Sequence, residues 1–504
     1  MIDLDALTPL SDRLSPEYLE HYQVLPLEVL GGRLVAATWT AVFERVDEQA
    51  LDDLRLLLGV AEVELVRWPE APLRQAIRRT YATDTTAEGV IAGMSAVAPA
   101  GARVDLALDD LVSQANEAPV VKLVNLLLLE ALEARSSDVH LESYAGGLRV
   151  RYRIDGVLQD AAAPPAAFTA ALVSRLKIMA DLDIAERRVP QDGRIALRML
   201  DRQVDVRVSI VPTLNGESVV LRLLDKTRGR ISLADQGMPS DVRAAFERAI
   251  ARPHGIVLAT GPTGSGKTTT LYAAIDVIRT GREKILTVED PIEYELAGVP
   301  QVPVNEKVGV TFANALRALL RQDPDVVMVG EIRDGETAEI AIQAALTGHL
   351  VLSTLHTNDA VSALTRLVDL GIAPFLIAST VEAVLAQRLV RRLCPACRGK
   401  GCGECRLTGY RGRTGLYELL EVTDELRTAL GRGAASGELG AIAGRAGMRT
   451  LRQHGDLLVH GGVTSREEVM RVTRNAADDR QISDKTRRHP FASAVDTLDL
   501  DPLT

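Results

Sequence analysis

The chain has 504 residues, which is too long for a single hydrophobic core and predicts about three or four domains. Hydrophobic residues make up 46% of the chain and charged residues 25%, which is the balance of a soluble globular protein. The formal net charge of −10 disfavours a protein that binds nucleic acid, because a phosphate backbone requires a basic surface.

The N-terminus has no basic segment followed by an apolar one, so the sequence predicts no secretory signal. The most apolar stretch, 120–132, is interrupted by Lys122, Asn125 and Glu130. It is also shorter than the ~20 apolar residues that a membrane-spanning helix needs. We therefore expect no membrane span, and any attachment to a membrane should depend on a partner protein.

The first half of the chain predicts two small α+β domains joined by a linker. Residues 1–82 mix short amphipathic helices with an alternating run at 32–38 that predicts a strand. Residues 83–105 begin with a stretch rich in Ala, Gly, Ser and Thr, which is typical of a flexible linker. In residues 106–230, the patterns predict helices at 120–134 and 166–179 and strands at 148–154, 194–200, 203–210 and 218–224.

From residue 231 to 474 the pattern changes to short apolar strands that alternate with helices. Such alternation predicts a largely parallel sheet with helices on both faces, the α/β class. The last segment, 475–504, is polar and without pattern, and we interpret it as a disordered tail. The predicted strands lie at 255–259, 284–288, 326–329 and 350–355.

A glycine-rich loop joins the first of these strands to a helix that is predicted to begin at Thr269. Glycines let backbone N–H groups turn onto phosphate oxygens, where the helix N-terminus adds positive potential. Lys267 can reach the terminal phosphates, and the Thr268 hydroxyl can bind Mg²⁺. We predict a nucleotide-binding site, the alternative being an accidental glycine-rich turn. Its residues are Gly261, Pro262, Thr263, Gly264, Ser265, Gly266, Lys267, Thr268 and Thr269.

Carboxylates follow two of the other predicted strands. Glu331 comes after the strand at 326–329, at the edge of a P-loop sheet that faces the nucleotide, and we predict that it polarises the attacking water. Gly330 stands where many P-loop proteins carry an aspartate, so another acid is expected to help hold Mg²⁺. The alternatives are a solvated surface acid at Glu331 and a capped turn for the second cluster. The candidates in that cluster are Glu289, Asp290 and Glu293.

Histidines and arginines lie near these strands. His349 and His356 flank the strand at 350–355, which favours one as a γ-phosphate sensor and the other as a group that orients a carboxylate. The alternative is that they are hydrogen-bonded core residues. Arginines stabilise the charge of phosphoryl transfer and can reach a neighbour's nucleotide within a ring of identical subunits, although surface ion pairs are their commoner role. The candidates are Arg194, Arg207, Arg317, Arg321 and Arg333.

All four cysteines lie in two C-x-x-C pairs. Paired thiolates fit tetrahedral Zn²⁺ at a closed, structural site. Only four residues separate the pairs, fewer than the ~15–20 of usual zinc ribbons, so free thiols are the alternative. Gly399 and Gly401 make a tight reversal feasible. We predict a small zinc lobe at 391–412, with Cys394, Cys397, Cys402 and Cys405 as ligands.

Together these motifs resemble those of the type II secretion ATPases (GspE-type) within the type II/IV secretion ATPase superfamily. The resemblance runs from about residue 18 to 474. It departs from the family at the short cysteine spacer and at the tail after 474. The segments that carry it are 185–194, 261–268, 287–294, 319–325, 330–334 and 347–356.

The resemblance implies a P-loop (RecA-like) ATPase domain preceded by a PAS-like α+β domain and a small N-terminal α+β domain. It implies a homo-hexameric ring that hydrolyses Mg²⁺-ATP and drives pseudopilus assembly. Glu331 is then the catalytic acid, Glu289 to Glu293 the aspartate box, and His349 with His356 the histidine box. Gly330 is explained, because this family carries Gly-Glu there. The arginines that it places around the nucleotide are Arg194, Arg207, Arg317, Arg321, Arg333 and Arg366.

The same resemblance implies partners and a location. In this family the N-terminal domain docks on the cytoplasmic domain of an inner-membrane protein (GspL-type). The cysteine lobe faces the inner-membrane platform protein (GspF-type). We therefore expect a cytoplasmic protein that is peripherally attached to the bacterial inner membrane, with no nucleic-acid partner.

Several alternatives stay open at this point. A type IV pilus assembly ATPase has the same chemistry and a different client. A retraction ATPase is disfavoured because that branch lacks the N-terminal domain and the cysteine lobe. The N-terminal domain is similar to one that binds nucleotide second messengers, but it has no arginine-led repeated leucine motif. A DNA-translocating ATPase is disfavoured by the acidic balance of the chain, and a non-enzymatic scaffold by its intact loop, acids and arginines.

Overall fold

The computed structural model divides the chain into two compact units, Met1–Thr227 and Arg228–Thr504. This division lies close to the predicted boundary after residue 230, and the domain limits themselves stay a prediction. The predicted linker at 83–105 and the predicted tail at 475–504 lie outside the described residues. The residues that the structure describes are 16–40, 47–81, 118–199, 202–225 and 231–473, with Leu7, Leu10, Ser11 and Leu14.

The N-terminal part of the first unit is a small α+β fold. Its elements are α1 (Pro16–Tyr22), β1 (Val24–Leu30), β2 (Arg33–Thr38), α2 (Glu48–Leu58), β3 (Glu62–Arg67) and α3 (Glu70–Tyr81). β2 is the central strand, antiparallel to β1 and parallel to β3. Leu25, Leu34 and Leu73 are fully buried between the sheet and the helices. The strand predicted at 32–38 is confirmed as β2.

The rest of the first unit is an antiparallel sheet with two helices. Its elements are α4 (Ala118–Glu133), β4 (Ser136–Tyr144), β5 (Gly147–Ile154), β6 (Val157–Ala161), a 3₁₀ turn (Ala166–Phe168), α5 (Thr169–Met179), β7 (Gln191–Met199), β8 (Arg202–Thr213) and β9 (Gly216–Asp225). The strand order is β6-β5-β4-β9-β8-β7. Alternate residues of β8, such as Val206 and Val208, pack into one core with α4 and α5. The predicted helices and four strands are confirmed, and the pattern did not reveal β4 or β6.

The second unit is an α/β fold. Its strands are β10 (Gly255–Thr260), β11 (Ile285–Glu289), β12 (Gln301–Pro303), β13 (Val326–Val329), β14 (Leu350–Leu355), β15 (Val381–Leu393) and β16 (Tyr410–Glu421). Its helices are α6 (Ser240–Ile250), α7 (Lys267–Ile278), α8 (Phe312–Leu319), α9 (Gly335–Leu346), α10 (Ala360–Asp369), α11 (Pro374–Thr380), α12 (Asp424–Gly431), α13 (Ser436–Arg445), α14 (Leu451–His460) and α15 (Arg466–Val472). Short 3₁₀ turns lie at Glu306–Val308, Leu320–Gln322 and Gly403–Cys405.

The seven strands form one sheet of order β12-β11-β13-β14-β10-β15-β16. All neighbours are parallel except β15 and β16. β10 is buried along its whole length: Ile256 and Leu258 pack on one face, while Val257 and Ala259 pack with α6 and α7 on the other. Because the strands run in one direction, β10, β11, β13 and β14 end at the same edge of the sheet, the C-terminal edge.

Some elements differ from the sequence pattern. The four strands predicted in this unit are confirmed, whereas the pattern did not reveal β12, β15 and β16. The helix after the glycine-rich loop begins at Lys267, two residues before its predicted start, because helical hydrogen bonding begins directly at the end of the loop. Among the described residues, every helix is too short or too polar to span a bilayer.

Candidate nucleotide site

The phosphate loop, residues 261–266, leaves the C-terminal end of β10 and leads into α7. Gly266 is in the left-handed conformation (φ 91°) directly before the helix. Lys267 and Thr268 therefore both belong to the first helical turn, where backbone N–H groups have no partner inside the helix. The strand, loop and helix that the sequence predicts are joined in the arrangement that can hold phosphate.

Lys267 folds back onto the phosphate loop. Its side chain is buried, and Nζ donates to the carbonyl oxygens of Gly261 at 2.7 Å and Pro262 at 3.1 Å. Burial lowers the pKa of Lys267 to about 8; Glu331 opposes this shift, and Arg388 adds to it. An ammonium group held only by carbonyl oxygens can be transferred to a phosphate anion, which binds it more strongly.

Glu331 lies at the C-terminal edge, two positions after β13 ends. One carboxylate oxygen accepts from Arg333 Nη2 at 2.7 Å, and the other lies 3.5 Å from His356 Nε2. The side chain is 16% exposed, so a water molecule can still reach it. Glu331 also lies near enough to Lys267 to act on its pKa. The structure thus brings Glu331, His356 and Lys267 to one place.

Gly330 has a packing reason to lack a side chain. A Cβ at this position would lie 3.3 Å from both the Glu289 Cα and the Val288 carbonyl oxygen. The Gly330 N–H donates to that same carbonyl oxygen at 2.8 Å, so the backbone of β11 is already at hydrogen-bonding distance. A side chain at 330 would therefore press against the backbone of β11, and glycine fits this close approach without displacing it.

The second acid cluster divides into buried and accessible members. The Glu289 carboxylate is buried and accepts hydrogen bonds from the Tyr272 hydroxyl, from Thr287 Oγ1 at 2.6 Å and from Gln301 Nε2 at 2.9 Å. These hydrogen bonds fix the side chain inside the protein. Glu289 therefore lies at the end of β11 but is buried and bound by neighbouring side chains.

The two other members of the cluster lie closer to solvent. The Asp290 side chain is 38% exposed, and one of its carboxylate oxygens lies 3.6 Å from Arg333 Nη2. Glu293 is half-buried. Because Arg333 also binds Glu331, it links Asp290 to Glu331.

The two histidines lie at opposite edges of the sheet. His356 follows β14 at the C-terminal edge. Burial lowers its pKa, Lys267 and Arg333 act in the same direction, and Glu331 opposes them. His349 precedes β14, where its Nδ1 lies 2.9 Å from the Ala344 carbonyl oxygen. A strand of this length separates the two by roughly 20 Å, so only His356 stands beside Glu331 in one chain.

The arginines near β13 have different surroundings. Arg333 contacts Glu331 and Asp290, and its guanidinium lies 5.9 Å from the centre of the Phe312 ring. Arg317 binds Glu336 at 2.7 Å. Arg321 Nη1 donates to the carbonyl oxygen of Arg317 at 2.9 Å, and Arg366 is exposed in the last turn of α10. Of this group, the structure places Arg333 against Glu331.

Arg194 and Arg207 belong to the first unit. They are direct neighbours across β7 and β8, and Arg194 forms an ion pair with the buried Asp205. The Arg194 side chain is 65% exposed, so its guanidinium is open to solvent on the outer side. A role for these two residues at a nucleotide stays a prediction.

Sequence reasoning missed several polar groups beneath the phosphate loop. Arg388, on β15, is only 7% exposed, and its Nη2 donates to the carbonyl oxygen of Asn358 at 2.8 Å. The neighbouring Gln387 side chain accepts from Thr270 Oγ1 at 2.8 Å. The available signal was the polar pair Gln387-Arg388 inside an otherwise apolar run. Tyr272 and Gln301, which bind Glu289, gave no comparable signal.

The cysteine lobe connects β15 to β16. Its four Sγ atoms lie within 4.8 Å of one another. Three of the Sγ pairs are 3.7, 3.7 and 3.9 Å apart, and tetrahedral bonds of ~2.3 Å to Zn²⁺ require about 3.8 Å. The short spacer reverses through Gly401, where a Cβ would lie 2.8 Å from the Leu407 carbonyl oxygen. The donor set therefore fits a metal ion. The four thiols are those of Cys394, Cys397, Cys402 and Cys405.

Backbone N–H groups surround the thiols. Gly401 N–H donates to Cys397 Sγ at 3.2 Å, and Cys402 N–H donates to Cys405 Sγ at 3.1 Å. Burial opposes ionisation of Cys405, but N–H donors from Cys402 and Gly409 and the nearby thiols lower its pKa to about 6. Such donors stabilise thiolates, which are the form that binds a metal.

The phosphate loop between β10 and α7, together with Glu331 at the C-terminal edge of the sheet, defines a P-loop ATPase of the RecA-like type. Comparison with known proteins agrees. The chain belongs to the type II/IV secretion system protein family, whose model matches residues 113–471. A second model, the MshEN domain, matches residues 2–87. The chain is therefore an ATPase of the secretion family.

Individual relatives resemble most of the chain. It is 51% identical over 449 residues to the type II secretion system protein HxcR of Pseudomonas aeruginosa. The matched region covers 86% of this chain and 94% of HxcR. The chain is 42% identical over 508 residues to the type IV pilus assembly ATPase PilB of Myxococcus xanthus, covering 95% and 88%. A crystal structure of the pilus retraction motor PilT with bound ADP matches with a TM-score of 0.51 at 28% identity, covering 70% of this chain and 98% of PilT.

Proposed function

We propose that this ATPase powers a bacterial type II secretion machine by driving pseudopilus assembly. The observation that carries the proposal is the convergence of Lys267, Glu331 and His356 at one edge of a P-loop sheet. The higher identity to the type II secretion relative than to the pilus assembly relative supports secretion as the client process. Type IV pilus assembly is the second candidate, because the chain is also 42% identical to a type IV pilus assembly ATPase over most of its length.

We propose the following roles in ATP hydrolysis. Backbone N–H groups of the phosphate loop hold the phosphates, and Lys267 moves from the carbonyl oxygens to the terminal phosphates. Glu331 accepts a proton from the attacking water, while Arg333 and His356 orient its two oxygens. The Thr268 hydroxyl and the accessible Asp290 carboxylate are oxygen donors of the kind that suit Mg²⁺. Bound Mg²⁺ would neutralise charge on the phosphate oxygens.

The arginines of the first unit fit a role between subunits. We propose that the chain assembles as a homo-hexamer in which Arg194 and Arg207 reach nucleotide held by a neighbouring copy. The exposed guanidinium of Arg194 supports this role. Arg207→Ala should then slow hydrolysis in the assembled ring and leave the slow turnover of isolated monomers unchanged. An equal loss in monomers would contradict action across the interface.

We propose that the cysteine lobe holds structural Zn²⁺. The Sγ spacings and the N–H donors support this ion, and four thiolates leave no open position for catalysis. Elemental analysis of the purified chain should find one zinc per subunit, and Cys405→Ser should lose it and unfold at a lower temperature. Cys405→Ser protein with undiminished zinc content would contradict the assignment.

The proposed partners are those of a peripheral motor at the cytoplasmic face of the inner membrane. The N-terminal domain would dock on a GspL-type cytoplasmic domain, and the cysteine lobe would face a GspF-type platform protein.

The two candidate functions differ in client, so complementation separates them. The chain should restore export in a strain that lacks its secretion ATPase, and the Glu331→Gln variant should fail. Restoration of pili in a strain that lacks its pilus assembly ATPase, without restoration of export, would favour type IV pilus assembly. Strong stimulation of ATP hydrolysis by single-stranded DNA would contradict both functions.

A further inference from the structure

Arg388 is a buried cation on β15, directly beneath the phosphate loop. Its Nη1 lies 2.9 Å from the position that a Cβ on Gly261 would occupy, and the Gln387 carbonyl oxygen lies 2.5 Å from it. The loop thus begins in contact with the backbone of β15 and the Arg388 guanidinium. Nη1 itself donates to the Gln387 carbonyl oxygen at 3.0 Å, which fixes one end of the planar group.

The other end of the guanidinium holds a second loop. Arg388 Nη2 donates to the Asn358 carbonyl oxygen at 2.8 Å and to its Oδ1 at 3.2 Å. Residues 356–359, the histidine loop, follow β14 and begin with His356. One side chain therefore packs against the start of the phosphate loop and donates hydrogen bonds to the loop that carries His356. A guanidinium suits this position because its donors form a rigid fork that a lysine lacks.

Two further contacts anchor the histidine loop around this connection. Thr357 N–H donates to Thr260 Oγ1 at 3.0 Å at the end of β10. Glu418 Oε1 accepts from the Ala360 N–H at 2.8 Å, and its Oε2 accepts from the Leu451 N–H at 3.0 Å. The Glu418 carboxylate thus caps α10 and α14 together. Arg388 is the member of this set that contacts the phosphate loop and the histidine loop at once.

We propose that Arg388 is a positioning residue for ATP hydrolysis, which ties the histidine loop to the phosphate loop and so sets His356 against Glu331. His356 Nε2 lies 3.5 Å from the Glu331 oxygen, a separation that a small movement of the histidine loop would lengthen. Displacement of a catalytic group by about 1 Å can slow a reaction by about 10²-fold. This inference rests on the roles proposed above for Glu331 and His356.

The test uses the full-length protein and steady-state ATP hydrolysis. Arg388→Lys keeps the positive charge but cannot span both loops, so kcat should fall by about tenfold or more while KM changes less than about twofold. Arg427→Lys is a matched control. Like Arg388, Arg427 is held by hydrogen bonds to two other groups, the carbonyl oxygen of Ala378 and the carboxylate of Glu382. These groups lie near the start of β15, far from the phosphate loop. The Arg427→Lys variant should hydrolyse ATP at the wild-type rate.

A double-mutant cycle separates positioning from general stability. If Arg388 acts through His356, Arg388→Lys should cost much less in a His356→Ala background than in the wild type, because interacting residues are non-additive. Additive losses would overturn the inference and leave the proposed function intact. Full activity of His356→Ala would remove the role of His356 and the inference with it.

Other outcomes are equally decisive. Wild-type kcat in Arg388→Lys, or a raised KM with unchanged kcat, would overturn a positioning role. If thermal unfolding shows that Arg388→Lys does not fold, Asn358→Ala takes its place. That variant removes only the side-chain acceptor at 3.2 Å and should lower kcat by a few-fold. Unchanged kcat in folded Asn358→Ala would then overturn the inference.

Discussion

The two edges of the seven-stranded sheet carry similar residue types with different consequences. At the C-terminal edge, Lys267, Glu331 and His356 face the phosphate loop. Near the start of β15, at the opposite edge, Glu382 forms ion pairs with Arg252 and Arg427, each at 2.8 Å. There the charged side chains are paired with one another within the protein. At the C-terminal edge, Lys267 donates to two backbone carbonyl oxygens, which a bound phosphate anion can replace.

Strand direction accounts for this contrast, because it decides which charged residues meet. In a parallel sheet the loops after the strands gather at one edge, together with the helix N-terminus that follows β10. A carboxylate placed there can act on a bound phosphate, whereas the same group at the other edge serves packing. The following changes test that contrast, beginning with the largest expected effect.

Glu331→Gln should reduce the rate of ATP hydrolysis by about 10²–10⁴-fold and leave nucleotide binding intact, because the amide keeps the shape but cannot accept the proton. Hydrolysis is measured by phosphate release and binding with a fluorescent nucleotide. Glu382→Gln at the opposite edge is the control and should hydrolyse ATP near the wild-type rate while unfolding at a lower temperature. Rapid hydrolysis by Glu331→Gln would remove its catalytic role.

Lys267→Ala should weaken nucleotide binding by about 10²-fold, because charge-assisted hydrogen bonds to the terminal phosphates are lost. Binding is measured by titration with a non-hydrolysable ATP analogue. Lys284→Ala, just before β11 at the opposite edge, is the control and should bind as the wild type does. Equal affinities in Lys267→Ala and the wild type would show that the phosphate loop does not hold the nucleotide.

The two histidines test the contrast between the edges directly, because they flank one strand. His356→Ala should lower kcat by about 10- to 100-fold, since Glu331 loses the group beside one of its oxygens. His349→Ala should have a smaller effect, because its ring is bound to the end of α9 at the opposite edge. Both are compared by steady-state kinetics on protein that elutes as monomer. Equal losses in the two variants would contradict the separation of the edges.

The smallest expected effect is a dependence of nucleotide affinity on pH. The pKa of Lys267 in the free protein is about 8, so the ammonium is charged below that pH and loses its proton above it. Affinity should be constant up to about pH 7 and several-fold weaker at about pH 9. Titration calorimetry at a series of pH values measures this. The Lys267→Ala profile should be flat, and a wild-type profile equally flat would contradict the role of the charge.

Part of the fold and site could be predicted because the signals are local. The short apolar runs of β10, β13 and β14 stand between turn residues, and a strand buried on both faces needs such a run. The phosphate loop and the cysteine pairs are likewise defined by neighbouring residues. β15 was missed because it is continuous with the apolar α11, and periodicity cannot divide one long apolar stretch.

Local sequence was therefore enough to predict the ATPase fold, the phosphate loop and the candidate acids, since backbone geometry requires those residues at that spacing. Tertiary structure alone decided which groups meet. It buried Glu289 with Tyr272, separated His349 from His356 by the length of β14, and brought Arg388 beneath the phosphate loop. These contacts join residues that are distant along the chain, and only the direction and order of the strands bring them together.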